Sequence, residues 1–189
     1  KFSTFRDPKP LFSALGAYVR RQNLSPGDFQ FLHVGGEEPA VREAARQCGL
    51  VDHYVNTGYV SYRQALGYVK GSVVCVLVAG GHPYEPTTKI FDYAAFGKPI
   101  LAVAPRVGFL NEVVSQYPLG YLVDNETEKI AFLLDQLLSD GPAVRDVSAS
   151  DLCRFSRETQ ASQLYDLIIK TAAENSRGRV SSPLHGESA

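Results

Sequence analysis

Short apolar runs alternate along the chain with stretches whose apolar residues recur at helical spacing. Residues 29–34, 73–79 and 100–104 are brief and rich in Val, Phe and Leu, as buried strands are, whereas 38–48 and 62–70 place their apolar residues on one helical face. Weaker strand patterns fall at 2–5, 53–57 and 119–123. Helical patterns fall at 8–23, 86–96, 110–116, 126–139 and 151–173. Gly35-Gly36 follows a strand, Gly49 and Gly97 end helices, and Pro99 opens the next strand. The run 73–79 is apolar on both faces, which predicts a central parallel strand covered by helices. The expected fold class is α/β, with a doubly wound parallel sheet.

Composition narrows the function classes. At 189 residues the chain fits one domain, and 44% hydrophobic against 21% charged residues exclude wholesale disorder. Nineteen Lys plus Arg stand against 20 Asp plus Glu, so a net charge of -1 gives no global attraction to nucleic acid or acidic membrane. Any bound anion must be held locally. The longest apolar run is far short of the ~20 residues that span a bilayer, so no membrane span is expected. Cys48, Cys75 and Cys153 have no metal-ligand spacing, and no signal-peptide pattern opens the chain, so a cytoplasmic protein without a metal is expected. No methionine occurs, which fits a fragment or a processed chain. Beyond Asn175 the sequence is almost devoid of apolar residues, so the domain is expected over 1–174 and a disordered tail over 175–189.

In open parallel sheets ligands bind beyond the carboxyl ends of the strands, which directs attention to the loops at 5–8, 33–36, 57–60 and 80–86. The last of these joins the central strand to the helix expected at 86–96. Pro86 suits the first turn of that helix, and Thr87, Thr88 and Lys89 would add two hydroxyls and an ammonium to its unsatisfied N–H groups. A lysine there opposes the helix dipole unless an anion compensates it. Lys89, Asp92 and Phe96 share one helical face. Asp92, expected in the second turn, is too deep to cap the helix; a ribose diol would serve as its partner.

The segment 85–100, Glu-Pro-Thr-Thr-Lys-Ile-Phe-Asp-Tyr-Ala-Ala-Phe-Gly-Lys-Pro-Ile, resembles the donor site of group 1 glycosyltransferases, the glycogen-synthase-like retaining enzymes built from two Rossmann-like domains in the GT-B architecture. Residues 6–15 resemble the opening helix of their carboxy-terminal domain, 31–36 its second strand, and Gly58-Tyr59-Val60 its base-pocket loop. The resemblance covers roughly residues 2–138. It implies the C-terminal, Rossmann-like half of a GT-B fold that binds a nucleotide diphosphate sugar and transfers the sugar to an acceptor. The acceptor would be held mainly by an N-terminal domain, at which the protein could also meet the inner face of the membrane. No cofactor is implied beyond that donor substrate. Arg6, Lys89 and Glu85 would act in catalysis. Gly58, Val60, Pro86, Thr87, Thr88 and Asp92 would hold the nucleotide and donor. The family's paired acids stand eight positions apart; aligned on Gly97 and Pro99, the second falls on Asp92 and the first on Tyr84, with Glu85 one position late.

Plainer roles stand beside these. Asp92 could form an exposed pair with Lys89, and Lys89 could lie over the helix end. Arg6 could pair with Asp7, Glu85 could be a loop acid, and Gly58 a turn residue. Tyr59, Tyr62 and Tyr68 are expected at the edges of the core, and Cys75 inside it. His33 and His82 lack neighbours at metal-ligand spacing. A GT-B sugar-nucleotide epimerase domain and a non-catalytic flavodoxin-like interaction domain remain the alternative functions.

Overall fold

A computed structural model describes residues 7–79, 87–117, 119–139, 153 and 156–180, the last six of these by backbone only. Helices and strands alternate through most of the chain: α1 Lys9–Gln22, β1 Phe31–His33, α2 Pro39–Gln47, β2 Tyr54–Asn56, α3 Tyr62–Gly71, β3 Cys75–Val78, α4 Lys89–Ala95, β4 Ile100–Val103, α5 Phe109–Gln116, β5 Gly120–Val123, α6 Thr127–Ser139 and α7 Arg157–Val180. Among the described residues every pairing between strands is parallel. β1 pairs with β2, His33 opposite Asn56. β3, β4 and β5 form a second set in that order, with Val78 opposite Val103 and Val103 opposite Val123.

β4 carries the packing. All four of its residues are buried, and their alternation divides the core in two. Leu101 and Val103 face a cluster with Leu11, Phe12 and Leu15 of α1 and Ile130, Leu134 and Leu137 of α6. Ile100 and Ala102 face the opposite cluster, with Ile90 and Ala94 of α4 and Leu110 and Val114 of α5. Helices therefore cover both faces of this sheet, as a doubly wound fold requires. The expectation for the run 73–79 needs correcting here: Val73 is exposed, the strand begins at Cys75, and its residues alternate between buried and partly buried. β4 is the strand flanked on both sides within its sheet, so it is the one fully enclosed. Cys75 does lie in the core, where burial pushes its thiol up to about 11.

Two helices differ from their sequence patterns. α4 begins at Lys89 rather than at 86, and Thr88 at its N-cap makes no side-chain capping bond. α7 runs to Val180, into the segment expected as tail. Once nucleated, a helix gains one hydrogen bond for each residue added, and no proline interrupts the sequence from 157 to 180. The strand expected at 2–5 and residues 181–189 lie outside the described residues. Among the described residues, no helix is long and apolar enough to cross a membrane. On α7 five large apolar side chains, Leu164, Tyr165, Leu167, Ile168 and Ile169, are each more than half exposed.

Close approach fixes the seat of α1. A Cβ built on Gly16 would stand 2.4 Å from the carbonyl oxygen of Cys48, just past α2, and Arg20 donates to that same oxygen at 3.0 Å. Gly16→Ala should therefore destabilise the domain by about 1–3 kcal/mol, although alanine is the better helix former by about 1 kcal/mol. Urea unfolding of both proteins checks this; an unchanged or raised midpoint would show that α1 can move aside at no cost.

Candidate functional site

The carboxyl ends of β1 and β2 lie side by side, and their loops are joined by a set of hydrogen bonds centred on Asn56. Its Nδ2 donates to the carbonyl oxygens of His33 at 3.2 Å and Gly35 at 3.1 Å, while its Oδ1 accepts from the N–H of Gly58 at 3.1 Å. Gly35 N–H donates to Gly58 C=O at 3.1 Å, and the Thr57 hydroxyl donates to the same oxygen at 3.0 Å. Gly58 adopts φ +66°, the left-handed conformation that glycine reaches without steric cost. Both its backbone groups are thus engaged inside the loop. Val60 differs: among the described residues no hydrogen bond is made by its N–H or C=O, so these are the groups the loop can offer to a ligand.

Immediately after Val60, Ser61 caps α3 in a capping box with Gln64. The cap sets the direction of Tyr62, whose hydroxyl donates to Asp92 Oδ1 at 2.7 Å and so ties α3 to α4. The Asp92 carboxylate raises the Tyr62 phenol above its usual value, with Arg157 at the start of α7 opposing it. Asp92 therefore takes Tyr62 as its partner, and no ion pair joins it to Lys89 among the described residues. Because α4 starts at Lys89, Asp92 falls in the first helical turn, not the second. Ile90 and Ala94 turn into the core, so Asp92, on the opposite side of the helix, turns away from the sheet.

The tyrosines are not core edges. Tyr59 is 92% exposed, with its ring lying over Gly36, and Tyr62 is 60% exposed. Helical spacing does not apply to Tyr59 and Tyr62, because the cap at Ser61 lies between them. The sequence pattern also missed Tyr62 and Asn56 as neighbours of the site. An Asn two residues before a Gly at a strand end is a cue for a local turn, and could have drawn attention to Asn56. Arg6, Glu85 and Pro86 lie outside the described residues, as does His82. Thr87, Thr88 and Lys89 stand at the start of α4, with Thr88 and Lys89 exposed. α4 has only seven residues, and Lys89 is its first. Among the described residues, no cluster of His, Cys, Asp or Glu could hold a metal ion. A cleft of about 420 Å³ between β5 and α6 is lined by Arg106, Leu122, Lys129 and Phe132, but both of its cations are paired with Asp124.

His33 lies at the same edge, its Nδ1 2.8 Å from the Tyr54 hydroxyl. Burial holds its pKa below the usual 6.5; Glu38 works against that fall and Lys89 adds to it. As pH drops through 6.5, the unfolded chain takes up a proton that folded His33 resists, so the native state loses stability until the pH is below the folded value. Urea midpoints of the wild type and His33→Gln, measured at about pH 7.5 and about pH 5, should show the larger acid-side loss in the wild type. Equal losses would mean that His33 ionises as freely in the fold as outside it.

Comparison with solved structures gives chains that share this fold. Sucrose-phosphate synthase from Thermosynechococcus elongatus superposes on 92% of the chain with a TM-score of 0.69 at 23% sequence identity. HepE from Anabaena, solved in complex with UDP, superposes on 92% with a TM-score of 0.66 at 16% identity. The chain spans 44% and 47% of those two chains, about half their length. No protein-family model and no curated protein matches the sequence. At these identities the likeness is one of architecture: the chain has the Rossmann-like α/β fold that forms half of a GT-B glycosyltransferase.

Proposed function

We propose that the chain is the nucleotide-sugar-binding, C-terminal domain of a retaining group 1 glycosyltransferase, acting with an N-terminal domain that carries the acceptor. The observation that carries this reading is the junction at the strand ends: a braced loop leaves the backbone of Val60 without a hydrogen bond among the described residues, and Tyr62 links that loop to the carboxylate of Asp92. A base would pair with the N–H and C=O of Val60 over the frame made by Gly58. The ribose hydroxyls would donate to Asp92, whose second oxygen is left to them while Oδ1 keeps Tyr62. That a solved protein of this fold holds UDP supports a nucleoside diphosphate as the ligand.

The diphosphate would lie towards Thr87, Thr88 and Lys89, with Pro86 and Arg6 completing its surroundings and Glu85 facing the sugar. These three last roles rest on the family resemblance. As the glycosidic bond to the diphosphate breaks, negative charge grows on the leaving oxygen, and Lys89 and Arg6 would stabilise it electrostatically in place of a metal ion. The sugar then passes to the acceptor hydroxyl with retention at the anomeric carbon. A second domain closing over the donor would exclude water from this step.

Asp92→Ala should weaken UDP binding by roughly 1.5–3 kcal/mol, the range for hydrogen bonds to a charged group. Its melting temperature should barely change, since the partner lost, Tyr62, is itself exposed. Calorimetric titration alongside melting separates the two effects, and unaltered affinity would remove the ribose role. The affinity of the wild type for UDP should also be the same in EDTA as in millimolar Mg²⁺ or Mn²⁺; a strict metal requirement would overturn the metal-free mechanism.

A further inference from the structure

Asn56 is the last residue of β2, and its side-chain amide is the only group whose contacts reach both strand-end loops at three backbone points among the described hydrogen bonds. Two contacts need a donor and fall on His33, the last residue of β1, and on Gly35 in the loop after it; the third needs an acceptor and falls on Gly58. At neutral pH only a carboxamide supplies two donors and an acceptor from one side chain of this length. Its acceptor bond holds Gly58 at φ +66°, and two residues later comes Val60, whose N–H and C=O make no hydrogen bond among the described residues.

We infer that Asn56 is the positioning residue of the nucleotide site: it touches no ligand, and it fixes the angle at which Val60 meets the base. This rests on the nucleotide-binding reading above. The neighbouring contacts cannot replace it. The Gly35–Gly58 bond ties the loops at one point only, the Thr57 hydroxyl reaches the same Gly58 oxygen, and the Thr57 N–H donates to the His33 carbonyl, so none of them accepts from the Gly58 N–H. Without Asn56 the Gly58 N–H loses its acceptor and the Gly35 carbonyl its donor, the His33 carbonyl keeps the Thr57 N–H at 3.1 Å, and the strand register from Phe31 to His33 and both hydrophobic cores are left intact. The loss therefore falls on loop geometry before it falls on the fold.

Three measurements on the 189-residue chain test this, with UDP as the probe at a temperature where each protein is fully folded. Asn56→Ala should bind UDP about tenfold more weakly, and its Gly58 amide should exchange hydrogen about tenfold faster in the free protein. Asn56→Asp should bind as weakly as the alanine variant at about pH 8, because its carboxylate then faces two carbonyl oxygens. Towards about pH 5 the carboxyl takes up a proton and regains a donor, so its affinity relative to the wild type at the same pH should recover in part. Loss of packing alone would produce no such recovery, and repeating the comparison in the His33→Gln background removes the imidazole that titrates at the same edge.

Unchanged Gly58 exchange in Asn56→Ala, or faster exchange with undiminished affinity, would overturn the positioning role while leaving the nucleotide reading in place. A wild type that does not bind UDP would sink that reading, and the positioning role with it, even if the exchange result held. If the alanine variant fails to fold, Asn56→Asp decides alone: a relative affinity that stays flat from about pH 8 to about pH 5 rejects the inference, and a rise supports it.

Discussion

Two hydrophobic cores meet across four residues of one strand, and the remainder of the domain is placed by that fact. Side chains in a strand point alternately to opposite faces, so Leu101 and Val103 bind α1 and α6 to one side of β4 while Ile100 and Ala102 bind α4 and α5 to the other. A slip of one residue would exchange the two sets, setting small Ala102 where Leu101 belongs; the volumes on both sides therefore hold the register against β3 and β5. Fixed register aligns the carboxyl ends of the strands. It also fixes the rotation of α4, because Ile90 and Ala94 have one face to bury and Asp92 must then point outward, where Tyr62 meets it. A carboxylate's position at the surface is thus a consequence of which residues fill the interior.

The fold was legible in the sequence because two periods, near two and near 3.6, alternate with little ambiguity, and glycines mark the breaks. What misled was apparent hydrophobicity without context: 73–79 is the longest apolar run, yet β4 is the enclosed strand. Its burial depends on having neighbours on both sides, and pairing order is a long-range property that a single run does not encode. The ends of α4 and α7 were misplaced for related reasons. Pro86 suggested a first turn, but the helix begins only at Lys89, without a side-chain cap at Thr88; in α7 helical propagation carried the backbone past the last apolar residues of the pattern.

The candidate site was half legible. Asp92 and the Gly58–Val60 loop stand out by motif, and their connection does not. Tyr62 lies thirty positions before Asp92, and only the packing of α3 beside α4 brings them together. Asn56 shows the same division within one side chain. Its bond to Gly58 spans two residues and follows from a local turn, whereas its bonds to His33 and Gly35 exist only because β1 and β2 are paired. Of the residues implied by resemblance, those at 6 and 80–86 fall outside the described structure, so the charge-bearing part of the proposed site rests on Lys89 and its neighbours.

That division has an electrostatic consequence. The β1–β2 edge offers neutral backbone groups held in place by an amide, and an interaction of that kind is insensitive to salt. The α4 edge offers charge. A seven-residue helix has too few aligned peptide dipoles to bind an anion well, and Lys89 at its first position opposes the dipole it has. Attraction for a diphosphate would therefore come from the ammonium itself, exposed at the surface and screened beyond roughly 10 Å at ordinary ionic strength. With a net charge of only -1 on the whole chain, no long-range field adds to it. In the proposed function, base and ribose contacts would then supply selectivity, and charge would supply stabilisation mainly when negative charge develops on the leaving oxygen in a site closed from water, where the same ammonium would act through a lower dielectric. A domain built this way would hold its ligand modestly while open and act on it only when covered.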